Sequence, residues 1–272
     1  MSNRPPGYPA ADMLDAMTAV GVLLASVADG STEIVDLTAP LHRHTPIIQL
    51  PQPFSNTIPF DLERISAYDA PGPAWYWNNI HTGEHTGTHL DAPVHWITGR
   101  DGVDAANVPL RALFAPAVVV DVSERVADNP DFLLEVDDLR SWQDRHGPLP
   151  SGGWLLLRTG WAERADDPVS FLNTDESGSH TPGISVACAE WLAAQAICGM
   201  GVETVGTDAG AAAGFDPPFP CHHFLLGAGK FGLTQLRNLD RLPTTGAGLI
   251  VCPLPIVGGS GSPARVLALV GR

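Results

Sequence analysis

The sequence predicts an α/β fold, a single domain built on a mixed β-sheet with flanking helices. Apolar, β-branched runs that suit strands outnumber the helical segments. The helices do not alternate with them one for one, which argues against a doubly wound fold. No internal repeat and no linker-like stretch interrupts the 272 residues, so one domain over 1–272 is expected, long enough to bury a sizeable core.

Residues 10–28 place Met13, Met17, Val20 and Leu24 at helical spacing and are closed by Gly30, which predicts an N-terminal helical extension within residues 1–30. Glu33–Leu37 reads as a short strand. Residues 45–73 are rich in proline and polar groups without a sustained period, the profile of a binding loop or lid. Ala115–Val122 (APAVVVDV) suits a buried strand. Val136–His146 reads as a helix with Asp137 as cap and Gly147-Pro148 as stop. Trp154–Thr159 is a second buried strand, and residues 160–183 form a polar loop. Ser185 caps a helix that runs to Cys198 and is stopped by Gly199. Strands are expected at 202–207, 231–236, 247–252 and 265–270.

Charge and cysteine usage narrow the function classes. With 30 acidic against 15 basic residues the formal net charge is −15, which repels nucleic acid and anionic membrane surfaces. The apolar run near the N-terminus follows Asp12 and Asp15, where a signal peptide needs positive charge, and no run approaches the ~20 apolar residues of a membrane span. Cys188, Cys198, Cys221 and Cys252 show no C-x-x-C spacing, as expected of reduced thiols in the cytoplasm. A small molecule is the expected partner.

The chemistry concentrates in HTGEHTGTHLDAPVHW, residues 81–96. His85, His89, Asp91 and His95 stand at offsets 0, 4, 6 and 10. A continuous strand would put all four on one face but spread them over roughly 30 Å, too far for one ion. A helix is disfavoured by Gly87, Thr88 and Pro93, and would carry Asp91 well round from the histidines. A turn remains: Gly87 permits a tight bend and Pro93 fixes the exit. Two imidazoles and a carboxylate converging there would suit a divalent metal with open positions. The competing reading is a polar loop of solvated histidines.

The run H-T-G-T-H-L-D-A-P-V-H, residues 85–95, resembles the H-x-G-T-H-x-D-x-P-x-H signature of the cyclase-like metal hydrolase family, which includes bacterial kynurenine formamidases and isatin hydrolases. IVDLTAPLHRHTP, GISVACAEWLAAQAICGMGVETVGTDAG, HHFLLGAGKFGLTQLRNLDRLP and GGSGSPARVLAL extend the resemblance over most of the chain. It implies a swivelling β/α/β cyclase-like fold and a homodimer or homotetramer with loops crossing between subunits. It makes His85, His89 and Asp91 metal ligands and His95 either a second-ion ligand or an acid/base. His222 matches the family's later histidine, ahead of the adjacent His223. Formamidase-type members place a metal-binding glutamate twelve residues further on, where this chain has Thr234, followed by Gln235. The isatin hydrolase branch is similar in using a glutamine ligand and a single manganese. That likeness favours Gln235 as the fourth ligand and one divalent ion, Mn2+ ahead of Zn2+, although Thr234 and Gln235 would face opposite ways on a strand.

With no glutamate after His222, His95 and His222 are the candidate catalytic groups. Trp75, Trp77, Trp96 and Phe60 lie close in sequence and are candidate walls for a flat aromatic substrate. The expected reaction is hydrolysis of a cyclic amide such as the isatin lactam. Hydrolysis of N-formylkynurenine and non-catalytic metal or small-molecule binding are the alternatives. GAGKFG, residues 227–232, matches a dinucleotide fingerprint literally but lacks the strand before it and the room after it. No Walker loop and no G-x-S-x-G elbow occurs.

Overall fold

A computed structural model describes residues 18–50 and 52–272. Ten strands carry the architecture: β1 (Thr32–Asp36), β2 (Asp61–Ala67), β3 (Tyr76–His81), β4 (His89–Asp91), β5 (Phe114–Asp121), β6 (Trp154–Arg158), β7 (Gly199–Val202), β8 (Phe231–Thr234), β9 (Ala247–Pro253) and β10 (Gly261–Gly271). Eight form one sheet in the order β1-β10-β9-β5-β6-β7-β8-β4, and β4 pairs back onto β10, so the sheet closes on itself. The ladders from β5 through β8 are parallel and the rest antiparallel, which makes it the mixed sheet expected. The long β10 permits closure: residues 261–263 pair with β4, and residues 267–271 pair with β1.

Period-two patterning sorts the wall into two cores. Ala115, Ala117, Val119, Trp154, Leu156, Leu233 and Val266 pack in the cluster inside the closed sheet. Their neighbours Val118, Val120, Leu155 and Leu157 pack outward against Leu139 and Trp142 of α2 (Val136–His146) and Leu192 of α3 (Val186–Ala193). The strands buried on both faces are therefore those that read as continuous apolar runs.

Several boundaries differ from expectation for local physical reasons. The described part of the first helix, α1, spans Ala19–Asp29, capped by Thr18 and closed by Gly30 at φ 81°; residues 10–17 lie outside the described residues. In α2 the cap is Glu135, not Asp137, in a box where Asp138 accepts from the Glu135 backbone N–H. Helix α3 is capped by Ser185 as expected but ends at Ala193. Gly199 does not stop it; it opens β7, where a Cβ would lie 2.5 Å from both the Trp154 ring and the Phe231 carbonyl. The strand expected at 202–207 is thus displaced to 199–202. Residues 160–183 hold a short helix, Pro168–Leu172, anchored by buried Trp161 and Phe171. The segment expected to be irregular, 45–73, contains β2, which pairs with β3 just beyond it in a hairpin whose strands are largely exposed, with only Ser66 buried near the end of β2. No helix among the described residues is long and apolar enough to cross a membrane.

Candidate metal centre and active site

The ligand turn is built as the spacing requires. Gly87 takes φ +63°, the conformation that calls for glycine, and a Cβ there would displace the Leu41 methyl 2.5 Å away. The chain leaves the turn as β4. Leu90, fully buried, points into the barrel core and forces His89 and Asp91, one residue either side, onto the opposite face. His85 folds back over the turn, so that one donor atom each from His85, His89 and Asp91 lies within 4.8 Å of the others. His85 Nδ1 is 2.7 Å and His89 Nε2 3.2 Å from Asp91 Oδ1. Strand β8 completes the floor: Gly232 lies opposite Asp91 and Thr234 opposite His89. A Cβ on Gly232 would meet Asp91 Oδ2 at 2.9 Å.

Electrostatics and hydrogen bonds prepare the donors. Burial alone would raise the Asp91 carboxyl, but the facing His89 and His85 outweigh it and hold the group well below the usual carboxylate range. His89 Nδ1 lies 2.7 Å from the Gly87 carbonyl, which can only accept. A proton therefore sits on Nδ1, and Nε2, on the Asp91 side, is the nitrogen an ion would take.

Beyond Pro93, the turn Pro93–His95 stacks the His95 ring on His85 at 3.8 Å. His222 arrives from the π-helical segment Cys221–Leu226, its ring 5.3 Å from His95 and 4.9 Å from Trp96. Asp208 orients it: Oδ1 accepts the Cys221 N–H at 2.7 Å, and Oδ2 accepts from the His222 backbone and in a short bond from Nδ1. The two imidazoles are driven apart. Burial pushes His95 down to about 3, only partly offset by Asp91. Burial also pulls on His222, yet its bond to the Asp208 carboxylate and the charge there bring it net upward.

The structure sorts the other expected residues. Trp96 joins the site, edge-on to Phe219 at 5.5 Å. Trp75 and Trp77 pack on each other at 6.5 Å at the hairpin, 48% and 54% exposed, and neither they nor Phe60 touch the histidine cluster within this chain. Gln235 stands just past the end of β8. At φ +52° it has left the strand, and its Nε2 donates to the Pro46 carbonyl at 3.0 Å. Thr234 meets one ligand directly: its Oγ1 lies 2.9 Å and 3.2 Å from the two His89 ring nitrogens. His223 packs on Phe224 instead. Asp208 and Phe219 carry no signal in the sequence; no local spacing marks a carboxylate that reaches a histidine fourteen residues on.

These residues fit a divalent ion: two imidazoles and one ionised carboxylate converge, and a His89 proton is held away from them on Nδ1. Two further histidines beside such a donor set are the arrangement of a metal-assisted hydrolase. The chain belongs to the family described as putative cyclase, whose model matches residues 35–209. It is 46% identical over 262 residues to an isatin hydrolase of Roseibium aggregatum, covering 95% of this chain and 100% of that one. A kynurenine formamidase of Salinibacter ruber is 30% identical over 193 residues, covering 70% of this chain and 77% of the relative. Among solved structures, an isatin hydrolase bound to the product analogue thioisatinate superposes with a TM-score of 0.92 at 45% identity, covering 95% of this chain and 100% of that one.

Proposed function

We propose that this chain is a metal-dependent amidohydrolase that opens the lactam of isatin to isatinate. The observation that carries the reading is the neutral Thr234 facing His89, where formamidase-type relatives place a carboxylate. A hydroxyl cannot bridge two cations as a carboxylate does, which favours one ion held by His85, His89 and Asp91. The full-length likeness to isatin hydrolases supports the same substrate. Manganese is the ion we favour, with zinc second, since an imidazole and carboxylate donor set accepts either.

A bound divalent ion would supply Lewis acidity, activating water and polarising the substrate carbonyl. The remaining work falls to the side chains. His95, stacked on His85 beside the donor set, accepts a proton from the attacking water. His222, held by Asp208 and readily protonated, returns a proton to the lactam nitrogen as the C–N bond breaks. The products are a carboxylate and an aromatic amine on one molecule. Trp96 and Phe219 offer edge and face to a flat ring. The exposed hairpin aromatics Trp75 and Trp77 suit a homodimer or homotetramer in which they, with Phe60, help close the pocket of a partner copy. We place the enzyme in the cytoplasm.

The test is turnover of isatin against N-formylkynurenine by the manganese-loaded protein, each followed by its absorbance. Faster loss of isatin is expected. Preference for the formyl amide would move the chain to the formamidase alternative, and turnover of neither would sink both.

A further inference from the structure

Glu84 and Ser260 have no part in the ligand set, yet both sit behind it. Ser260 Oγ donates to Glu84 Oε2 at 2.5 Å, and the Ser260 backbone N–H donates to the same oxygen at 3.1 Å. His85 Nε2 lies 2.8 Å from Ser260 Oγ. A serine hydroxyl has one proton, and here a carboxylate takes it. What faces the imidazole is then a lone pair, which the hydrogen on His85 Nε2 meets. His85 Nδ1 faces Asp91 Oδ1 at 2.7 Å, and with Nε2 keeping its hydrogen it is the nitrogen that would give up its proton to an ion bound there.

Two glycines make the approach possible. A Cβ on Gly261 would lie 2.6 Å from His85 Cε1 and 2.5 Å from the Leu90 carbonyl, and one on Gly259 would lie 3.1 Å from Glu84 Oε1. The Ser260 carbonyl also accepts the Ala92 N–H at 2.9 Å, tying the serine to the end of β4. Residues 176 apart in the chain are thus held against one imidazole edge by backbone that tolerates no side chain on either flank.

We propose that Ser260 and Glu84 are positioning residues that set the tautomer of His85, so that His85 binds the metal through Nδ1 while His89 binds through Nε2. The inference rests on the metal site proposed above. Partners behind a ligand histidine typically change metal affinity by roughly 10–100-fold when removed.

Two measurements test it. In the zinc-loaded, isotope-labelled protein, long-range proton–nitrogen NMR reads which ring nitrogen of each histidine is protonated. His85 protonated on Nε2 is expected, with His89 protonated on Nδ1. His85 protonated on Nδ1 would overturn the proposal without any variant. Second, manganese affinity is measured by competition with a chelator for the parent, Ser260→Ala, Glu84→Ala and the conservative Ser260→Thr. Roughly 10–100-fold weaker binding is expected for both alanine variants, with recovery in Ser260→Thr. Affinity equal to the parent in a folded Ser260→Ala protein would reduce the pair to a loop clamp and overturn the proposal. A parent that binds no manganese would instead refute the metal site itself.

Discussion

Two histidines in this site are each backed by a carboxylate, and the two backings differ. His222 meets Asp208 directly, whereas His85 meets Glu84 only through the Ser260 hydroxyl. A direct carboxylate stabilises the imidazolium and moves the ring upward, as it does for His222. That suits a group that must hold and release a proton. A serine in between fixes which nitrogen bears the hydrogen without placing a full charge on the ring, which suits a ligand that must stay neutral. One fold therefore sets a carboxylate behind a histidine for two tasks, set apart by a single inserted hydroxyl.

The largest effect expected from breaking this division lies on the ligand side. Asp91→Ala or His89→Ala removes a donor from a set of three, and elemental analysis should find metal content near zero in either purified protein. Undiminished metal would overturn the ligand assignment. Next is Asp208→Asn, which spoils the proton carrier while leaving the ligands alone. Turnover should fall by about 10²–10⁴-fold, the range of a lost general acid–base, with metal content unchanged. The sign of the pH effect follows from the pairing: Asp208 raises His222, so losing the carboxylate lowers it. If protonated His222 is the acid, the alkaline limb of kcat/KM moves to lower pH.

How far the sequence anticipates these parts depends on how local they are. The turn at Gly87 and the ligands His85, His89 and Asp91 are legible because sixteen neighbouring residues carry both the donors and the bend. The two-faced burial of β5 and β6 is legible as apolar runs. The hairpin of β2 and β3 is not, because its strands are largely exposed and no alternation betrays it. The choice between Thr234 and Gln235 needs the register of β8 against β4, which puts Thr234 opposite His89. Asp208 and Ser260 join the site only through tertiary contacts, and Glu84 has no meaning until Ser260 is brought to it.

Smaller effects sharpen the same comparison. Trp96→Ala removes a wall beside His222 but touches no metal ligand. A raised KM of roughly three- to tenfold is expected, matching the ~0.5–1.5 kcal/mol of an aromatic contact, with metal affinity unaltered. Glu203 is a buried carboxylate that serves no histidine. It accepts from the Thr159 backbone at 2.6 Å and hydroxyl at 2.9 Å, and burial raises it despite these bonds. A carboxyl raised in the folded state favours folding at pH below its ordinary value of 4.5. That contribution is lost as pH rises through the folded value. Glu203→Gln should therefore gain stability relative to the parent as pH rises, read from urea midpoints at pH 4 and pH 8, with little change in turnover.

The separation of ligand from proton carrier is tested most directly by the amount of metal bound to His222→Ala. The account predicts the parent's stoichiometry in a protein whose isatin hydrolysis has nearly vanished. Metal lost in step with activity would make His222 a ligand and contradict the division between the two histidines.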